Sequence, residues 1–407
     1  MIMREMKDSG ISWVGEIPKE WTIMPLYCFY SERKNKNIFG AENNLLSLSY
    51  GKVIRKDINT SEGLQPSNYN GYNIVEAGDI IIRPTDLQND KRSLRTGLSK
   101  ERGIITSAYI ALKPKNGINS RFYHYLLHTY DILKVFYNMG NGVRQGLNYD
   151  EFAKLMVYSP SDTEQQKIAD FLDRECGKID GLKADIQAQI DTLEQYKRSV
   201  ITEAVTHGLN PSAPMKDSGI PWVGQFPTHW TKKKGKYILR YMSKPVKQDD
   251  GVITCFRDGE VTLRSNRRED GFTMADKEIG YQGVDVGDLV VHGMDGFAGA
   301  IGISDSRGKA SPVLNVLNTK QNKKYIMYYL RSMAYGEVFT ALSTGIRVRS
   351  CDLRWNKLAE LLYPLPPIDE QNNIVNYIDE QIARTNEIIA DKKSQIETLD
   401  GYKKSLI

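Results

Sequence analysis

The chain has 407 residues, 40% of them apolar and 26% charged, with a formal net charge of +5. Single cores rarely grow past about 250–300 residues, so two or more domains are expected, and the 10% aromatic share, mostly 23 tyrosines, excludes wholesale disorder. The lean to positive charge is mild and compatible with a polyanionic partner. No run of about 18 apolar residues is present, so no membrane-spanning helix is expected, and Met1-Ile2-Met3-Arg4-Glu5 lacks the apolar stretch of a signal peptide. The four cysteines, Cys28, Cys176, Cys255 and Cys351, are scattered and form no CxxC pair, which argues against zinc or disulfide frameworks and for a reducing cytoplasm.

Residues 6–21 open the chain with Met-Lys-Asp-Ser-Gly-Ile-Ser-Trp-Val-Gly, ending in Trp21. Ile74 to Ile82 reads as a strand, a turn at Gly78-Asp79 and a second strand. Gly103 to Pro114 reads as one strand ended by its proline. Ser120 to Tyr137 carries Phe122, Tyr125, Leu126, Leu133 and Phe136 at helical spacing. A loop, Gly140-Asn141-Gly142-Val143-Arg144-Gln145-Gly146-Leu147, follows.

From Glu164 to Ile201 the pattern changes. Leu172, Ile179, Ile186, Leu193 and Val200 recur every seven residues, and Leu182 and Tyr196 are assigned to the second seam position with Gln189 between them. This is a heptad helix that expects a partner helix; its 38 residues would span about 57 Å. Pro160-Ser161-Asp162-Thr163-Glu164 suits a helix start, and His207 to Pro214 is a breaker-rich linker.

The chain then starts again. Residues 215–230 repeat 6–21 with eleven of sixteen positions identical, at an offset of 209. Gly287-Asp288 repeats Gly78-Asp79, strands are expected around 284–303 and 312–319, and a helix from about Lys323 to Phe339. The loop Ser343 to Arg349 matches the loop at 140–147. Glu370 to Ile407 repeats 164–201 at an offset of 206, with Ile378, Ile388, Leu399, Tyr402 and Leu406 kept and Thr385 and Lys392 breaking the seam. The copy stops at Ile407, level with Ile201, where the first copy runs on through Thr206. Similar ends around dissimilar middles indicate one scaffold carrying two specificities.

Catalytic signatures are missing. There is no GxxxxGK[ST], and the Pro366-Pro367 pair is helix punctuation rather than the Asn/Asp-Pro-Pro-aromatic motif of an amino-methyltransferase. Gly293, Gly296, Gly299 and Gly302 read as turns between strands, and His124 and His128 as a partly buried helix face without the glutamate of HExxH. Glu32-Arg33-Lys34 has no convincing strand-borne aspartate before it to make a nuclease site. What remains is basic decoration on loops: Lys34, Lys36, Lys52, Arg55, Arg83, Lys91, Arg92, Arg95, Arg144 and Gln145 in the first half, and Lys244, Arg257, Arg264, Arg267, Arg268, Arg347 and Arg349 in the second. Arginine and glutamine can bond base edges or grip phosphate, so these are the candidate DNA contacts. No metal site is expected.

The twice-used Asp-Ser-Gly-Ile-x-Trp-x-Gly-x-x-Pro-x-x-Trp opening, the Gly-Asp turn, the Gly-bearing loop and the Pro-x-x-x-Glu-Gln helix entry together resemble the specificity subunits of type I restriction-modification systems. The resemblance covers essentially the whole chain, twice, in order. It implies an α+β protein with two pseudo-symmetric mixed α/β target-recognition domains, at 1–158 and 215–363. They are separated by two long antiparallel coiled-coil helices at 159–207 and 364–407, with a linker at 208–214. It further implies that each domain reads one half of an asymmetric split DNA target, the half-sites lying about one helical turn, roughly 34 Å, apart. The helices would set that spacing and dock two modification subunits. S-adenosyl-methionine, ATP and magnesium would sit on partner subunits, a motor-nuclease subunit would join for cleavage, and the cytoplasm of a prokaryote would be the site of action. The competing expectation is a coiled-coil scaffold that binds only proteins.

Overall fold

Three isoleucines in a row, Ile80-Ile81-Ile82, have 1% exposure or less because their strand is covered on both faces. Ile80 and Ile82 face the core formed with the helix Ser120–Ile132, while Ile81 joins a smaller cluster with Leu46, Val75 and Ile105 on the opposite side. Full burial of such a side chain contributes about 1.5–3 kcal/mol. Leu289, Val290 and Val291 do the same in the second half, Leu289 and Val291 facing one core and Val290 the other.

A computed structural model describes residues 4–59, 66, 68–85, 87, 94–139, 146–267, 278–342 and 353–407. The chain divides into two compact units, 1–185 with 394–407 and 186–393. Each unit has an antiparallel four-stranded sheet of the same order. In the first it runs Tyr30–Glu32, Ile110–Pro114, Ile80–Ile82, Thr96–Leu98; in the second Leu239–Tyr241, Leu314–Thr319, Leu289–His292, Ile301–Ile303. Residues 74–82 do form strand, turn and strand, but the two strands part company. Asn73–Val75 pairs with Gly103–Ile105, and Ile80–Ile82 enters the main sheet. The stretch 103–114 is correspondingly two strands, Gly103–Ile105 and Ile110–Pro114, rather than one.

The module helices begin at asparagine caps. Asn119 Oδ1 accepts the Phe122 amide at 3.3 Å, and Asn322 Oδ1 accepts those of Lys324 and Tyr325 at 2.9 and 3.2 Å. Both helices break at a left-handed residue, Lys134 (φ 62°) and Glu337 (φ 56°), before a last short turn, so Leu133 lies 53% exposed rather than packed.

The two long helices are Asp162–His207 and Ile368–Leu406. Their ends belong to the module cores. Ile201, Ala204 and Val205 pack with Tyr325, Tyr329 and Ile374 in the second unit, and Ala169 packs with Phe122 and Val157 in the first. Each unit therefore holds helix segments from both copies. In the first unit Lys403 Nζ bonds Asp180 at 2.6 Å and Lys183 pairs with Asp400. In the second, Lys197 Nζ bonds Asn386 at 2.9 Å and Lys392 bonds Gln189. Within each unit the partners run in opposite directions.

The seam phase differs in part from the sequence expectation. Leu172 and Ile179 are buried, Ile186, Leu193 and Leu399 half-buried, and Ile378 fully buried. Leu182 (53% exposed), Tyr196 (46%), Ile388 (46%) and Tyr402 (58%) face solvent. The second seam position lies one residue further on, at Cys176, Lys183, Ile190, Lys197 and Ala204 in one copy and at Ile382, Ile389, Ile396 and Lys403 in the other. Thr385 is buried and Lys392 half-buried, so neither breaks the seam; Thr385 returns its hydroxyl to Gln381 O at 2.7 Å. Lysine hides in the seam because its methylene stem packs while its ammonium reaches a partner.

Candidate nucleic-acid interface

The repeated motifs turn out to be mechanical. In the opening, Asp8 and Asp217 each accept the amide of the next-but-one glycine, and Ser9 and Ser218 those of Ile11 and Ile220, all at 2.9–3.1 Å. Gly10 and Gly219 sit at φ 67° and 59°, where a side chain is strained. The closing tryptophan reaches the helix entry: Trp21 Nε1 donates to Glu164 and Trp230 Nε1 to Glu370, both at 3.0 Å. The next residues, Gln165 and Gln371, are buried and donate to Pro160 O and Pro366 O at 2.9 Å. Each Gly-Asp turn is held by a cation, Asp79 by Arg33 and Asp288 by Lys244.

This frame sorts the candidate cations. Arg95 is completely buried; its guanidinium donates to Thr85 O at 2.6 Å and Tyr137 Oη at 3.2 Å, and its amide to Asp131. It is a core strut, not a DNA contact, because desolvating a guanidinium is tolerable only where fixed acceptors replace water. Lys244 is likewise absorbed, bonded to Asp285 at 2.7 Å and to Asp288 at 2.5 Å. Lys244 and Arg307 together hold the Asp285 carboxyl down to about 2 through hydrogen bonds. Arg83 is half-buried, its amide on Arg95 O.

The others stand at the surface. Lys34 pairs with Glu32 at 2.7 Å, and Lys36 donates to Gly71 O at 2.9 Å. Lys52 pairs with Asp180 at 3.0 Å, and Arg55 grips Glu101 with both Nε and Nη2. In the second unit Arg257 pairs with Asp295 at 2.9 Å, and Arg267 with Asp258 at 2.6 Å and Glu260 at 3.1 Å. Lys91, Arg92, Arg144, Gln145, Arg268, Arg347 and Arg349 lie outside the described residues.

Arg257, Arg264 and Arg267 converge on one cleft of about 850 Å³ in the second unit, beside Phe256, Tyr281 and His292. The Arg267 guanidinium lies 4.2 Å from the Phe256 ring centroid, so the cation that pairs with Asp258 and Glu260 also rests beside an aromatic face. Burial lowers the His292 pKa, so its ring is neutral near pH 7, and burial pushes the Cys255 thiol up to about 12. The cleft therefore offers arginines held against Asp258 and Asp295, with aromatic faces beside them, rather than a thiolate. Among the described residues no group of histidine, cysteine and carboxylate side chains is placed to hold a metal, and no helix is long and apolar enough to cross a membrane. Sequence reasoning missed Tyr281, His292 and Phe256, which only the fold brings beside the arginines. It also missed Arg307 and Arg331, whose bonds to Asp250 and Gly259 O close the walls of this module. The glycines 293–302 are packing devices: a side chain on Gly302 would collide with the Gly259 carbonyl.

The two units repeat one sheet order and one tryptophan–glutamate clasp, and both display surface cations, which defines a duplicated α+β protein. Residues 31–192 match the family model described as the type I restriction modification DNA specificity domain. The putative type I restriction enzyme MjaX specificity subunit of Methanocaldococcus jannaschii is 21% identical over 425 residues, spanning 97% of this chain and 93% of that protein. A solved chain from work on complex assembly and conformational transition of a type I restriction-modification system shares the fold. Its TM-score is 0.63 at 13% identity, covering 96% of this chain and 97% of that one. The chain thus resembles type I restriction-modification specificity subunits along nearly its whole length, and residues 31–192 match their DNA specificity domain.

Proposed function

We propose that this chain supplies DNA sequence specificity to a type I restriction-modification complex and performs no chemistry itself. Each module reads one half of an asymmetric bipartite target. The long helices set the half-site spacing and dock two modification subunits, which carry S-adenosyl-methionine and methylate adenine. A motor-nuclease subunit with ATP and magnesium joins for cleavage, in the prokaryotic cytoplasm.

One observation carries this reading: the two modules share sheet order, caps, turn clamps and tryptophan–glutamate clasps, yet differ in the loops that the shared frame displays. A scaffold that only bound protein would have no use for that division. Surface cations grip phosphate and loop side chains read bases, and unlike modules call for an asymmetric site.

The test is a gel-shift of the chain with its modification partner on target and random duplexes at physiological salt. Strong preference for one bipartite sequence is expected. Equal affinity for all duplexes would sink the proposal, and absence of salt-dependent DNA affinity would restore the protein-only scaffold.

A further inference from the structure

Phe39 is 95% exposed, and its backbone is left-handed, at φ 61° and ψ 20°. Bulky residues rarely adopt that conformation, so the structure holds this ring outward against a local preference. The following Gly40 is left-handed too, at φ 65°, and Ile38 beside it is 58% exposed.

The loop beneath is braced. Asn37 is fully buried and exchanges two bonds with Glu42: its Nδ2 donates to Glu42 O and its Oδ1 accepts the Glu42 amide, both at 2.9 Å. The Glu42 carboxylate turns inward, accepting the amides of Asn43 and Asn44 at 3.0 Å and pairing with Arg102. From Arg33 to Asn44 there are three cations, four asparagines and this single carboxylate. An apolar tip on a rigid loop amid lysines and amides suits a nucleic acid better than a protein surface.

The same position in the other module is built differently. Ile74 N bonds Asn35 O and Ile104 N bonds Asn44 O; the matching pair is Gly283 N to Lys244 O and Lys309 N to Gly251 O. Between those anchors the second module carries Pro245-Val246-Lys247-Gln248-Asp249-Asp250, shorter and without an aromatic.

Resting on the function proposed above, we infer that Phe39 is a wedge that inserts between base pairs at the half-site read by the first module. Rigidity matters because opening a stacked step is costly, and a floppy tip would fold back instead.

The experiment uses the chain assembled with its modification partner, on duplexes carrying its methylation target with 2-aminopurine placed in turn along that half-site. Wild type is expected to brighten one step. Phe39→Ala is expected to abolish that signal and weaken target binding about tenfold, leaving random-duplex binding within about twofold. Phe39→Trp should retain both. Phe39→Gly should lose the signal while melting no lower than wild type, which separates the loss from misfolding. Unchanged signal and affinity in Phe39→Ala, with wild type still discriminating, would overturn the wedge alone. A wild-type complex that does not discriminate would overturn the specificity reading itself. Failure of Phe39→Ala to assemble with the modification subunit would assign the tip to a protein contact and overturn the wedge.

Discussion

The indole nitrogen of Trp230 lies 3.0 Å from Glu370 Oε1, across 140 residues of sequence, and ties the repeated opening to the entry of the second long helix. Glu370 also meets His229 at 2.7 Å. Trp21 and Glu164 repeat the bond in the first unit, with Arg4 in place of the histidine. Trp230 is wholly buried, whereas Trp21 is half-buried and stacked on Tyr158 at 5.1 Å. Trp230→Ala is expected to cost about 3–5 kcal/mol, and Trp230→Phe, which keeps one aromatic ring but loses the donor and part of the buried volume, about 2 kcal/mol. Trp21→Ala should cost less than Trp230→Ala. Urea denaturation of the three variants checks the order, and equal losses at both tryptophans would contradict it.

The antiparallel register of the helix segments rests on lysines. Lys403–Asp180 in the first unit corresponds, at the 206-residue offset, to Lys197–Asn386 in the second. Asp180 also holds Lys52. Asp180→Ala should lower stability by about 1 kcal/mol, less in high salt, and Asn386→Asp should raise it by a few tenths, up to about 0.5 kcal/mol. Thermal melts at low and high salt would show both; a loss insensitive to salt would argue against the ion pair.

His124 and His128 give the first unit an acid-sensitive helix. Burial lowers their pKa values to about 3 and about 4, from 6.5 in the open chain; His128 bonds Thr96 Oγ1 at 3.0 Å and lies near Lys403. Because the folded values are depressed, the stability they confer is complete above pH 6.5 and is lost as pH falls toward 4 and then 3. Between pH 6.5 and 5 the two histidines together should cost the first unit about 3 kcal/mol. His124→Phe with His128→Gln should flatten that slope, and parallel pH-stability curves for variant and wild type would refute the assignment.

Arg95 and Arg257 should separate folding from binding. Arg95→Met is expected to destabilise by about 2–4 kcal/mol, because it strips the partners of buried carbonyls and of Tyr137. Arg257→Gln should leave the melting temperature nearly unchanged and lower DNA affinity across sequences, reducing the salt slope by about one. Salt titrations of DNA binding decide; an unaltered slope removes Arg257 from the phosphate-contacting set.

On the proposed function, exchanging residues 22–155 for the corresponding module of a type I specificity subunit should change only the first half of the recognised sequence, and one heptad inserted after Leu193 should alter the tolerated spacing. Methylation-aware sequencing of cells carrying each chimera reads both outcomes. A change in both half-sites after the module exchange would contradict independent readers.

By itself the sequence determined the duplication, the two long helices, the start of each module helix, the Gly-Asp turns and the stripe through Leu172, Ile179 and Ile378, because these follow from local propensity, periodicity and self-similarity. It also made the repeated tryptophan and Glu-Gln pairs visible, though not that they bond one another. Only the tertiary structure decided the second seam position. Lys183, Lys197 and Lys403 do not look like core residues until a partner is placed opposite them, whereas Tyr196 and Ile388 look like core and face water. It also decided which cations are surface and which are structure. Arg95 and Arg257 are the same residue type on loop-like stretches, and their difference lies in acceptors supplied from distant parts of the fold, Tyr137 and Thr85 for one and Asp295 for the other. Desolvation and its compensation are set by three-dimensional neighbours, and no window of sequence contains them.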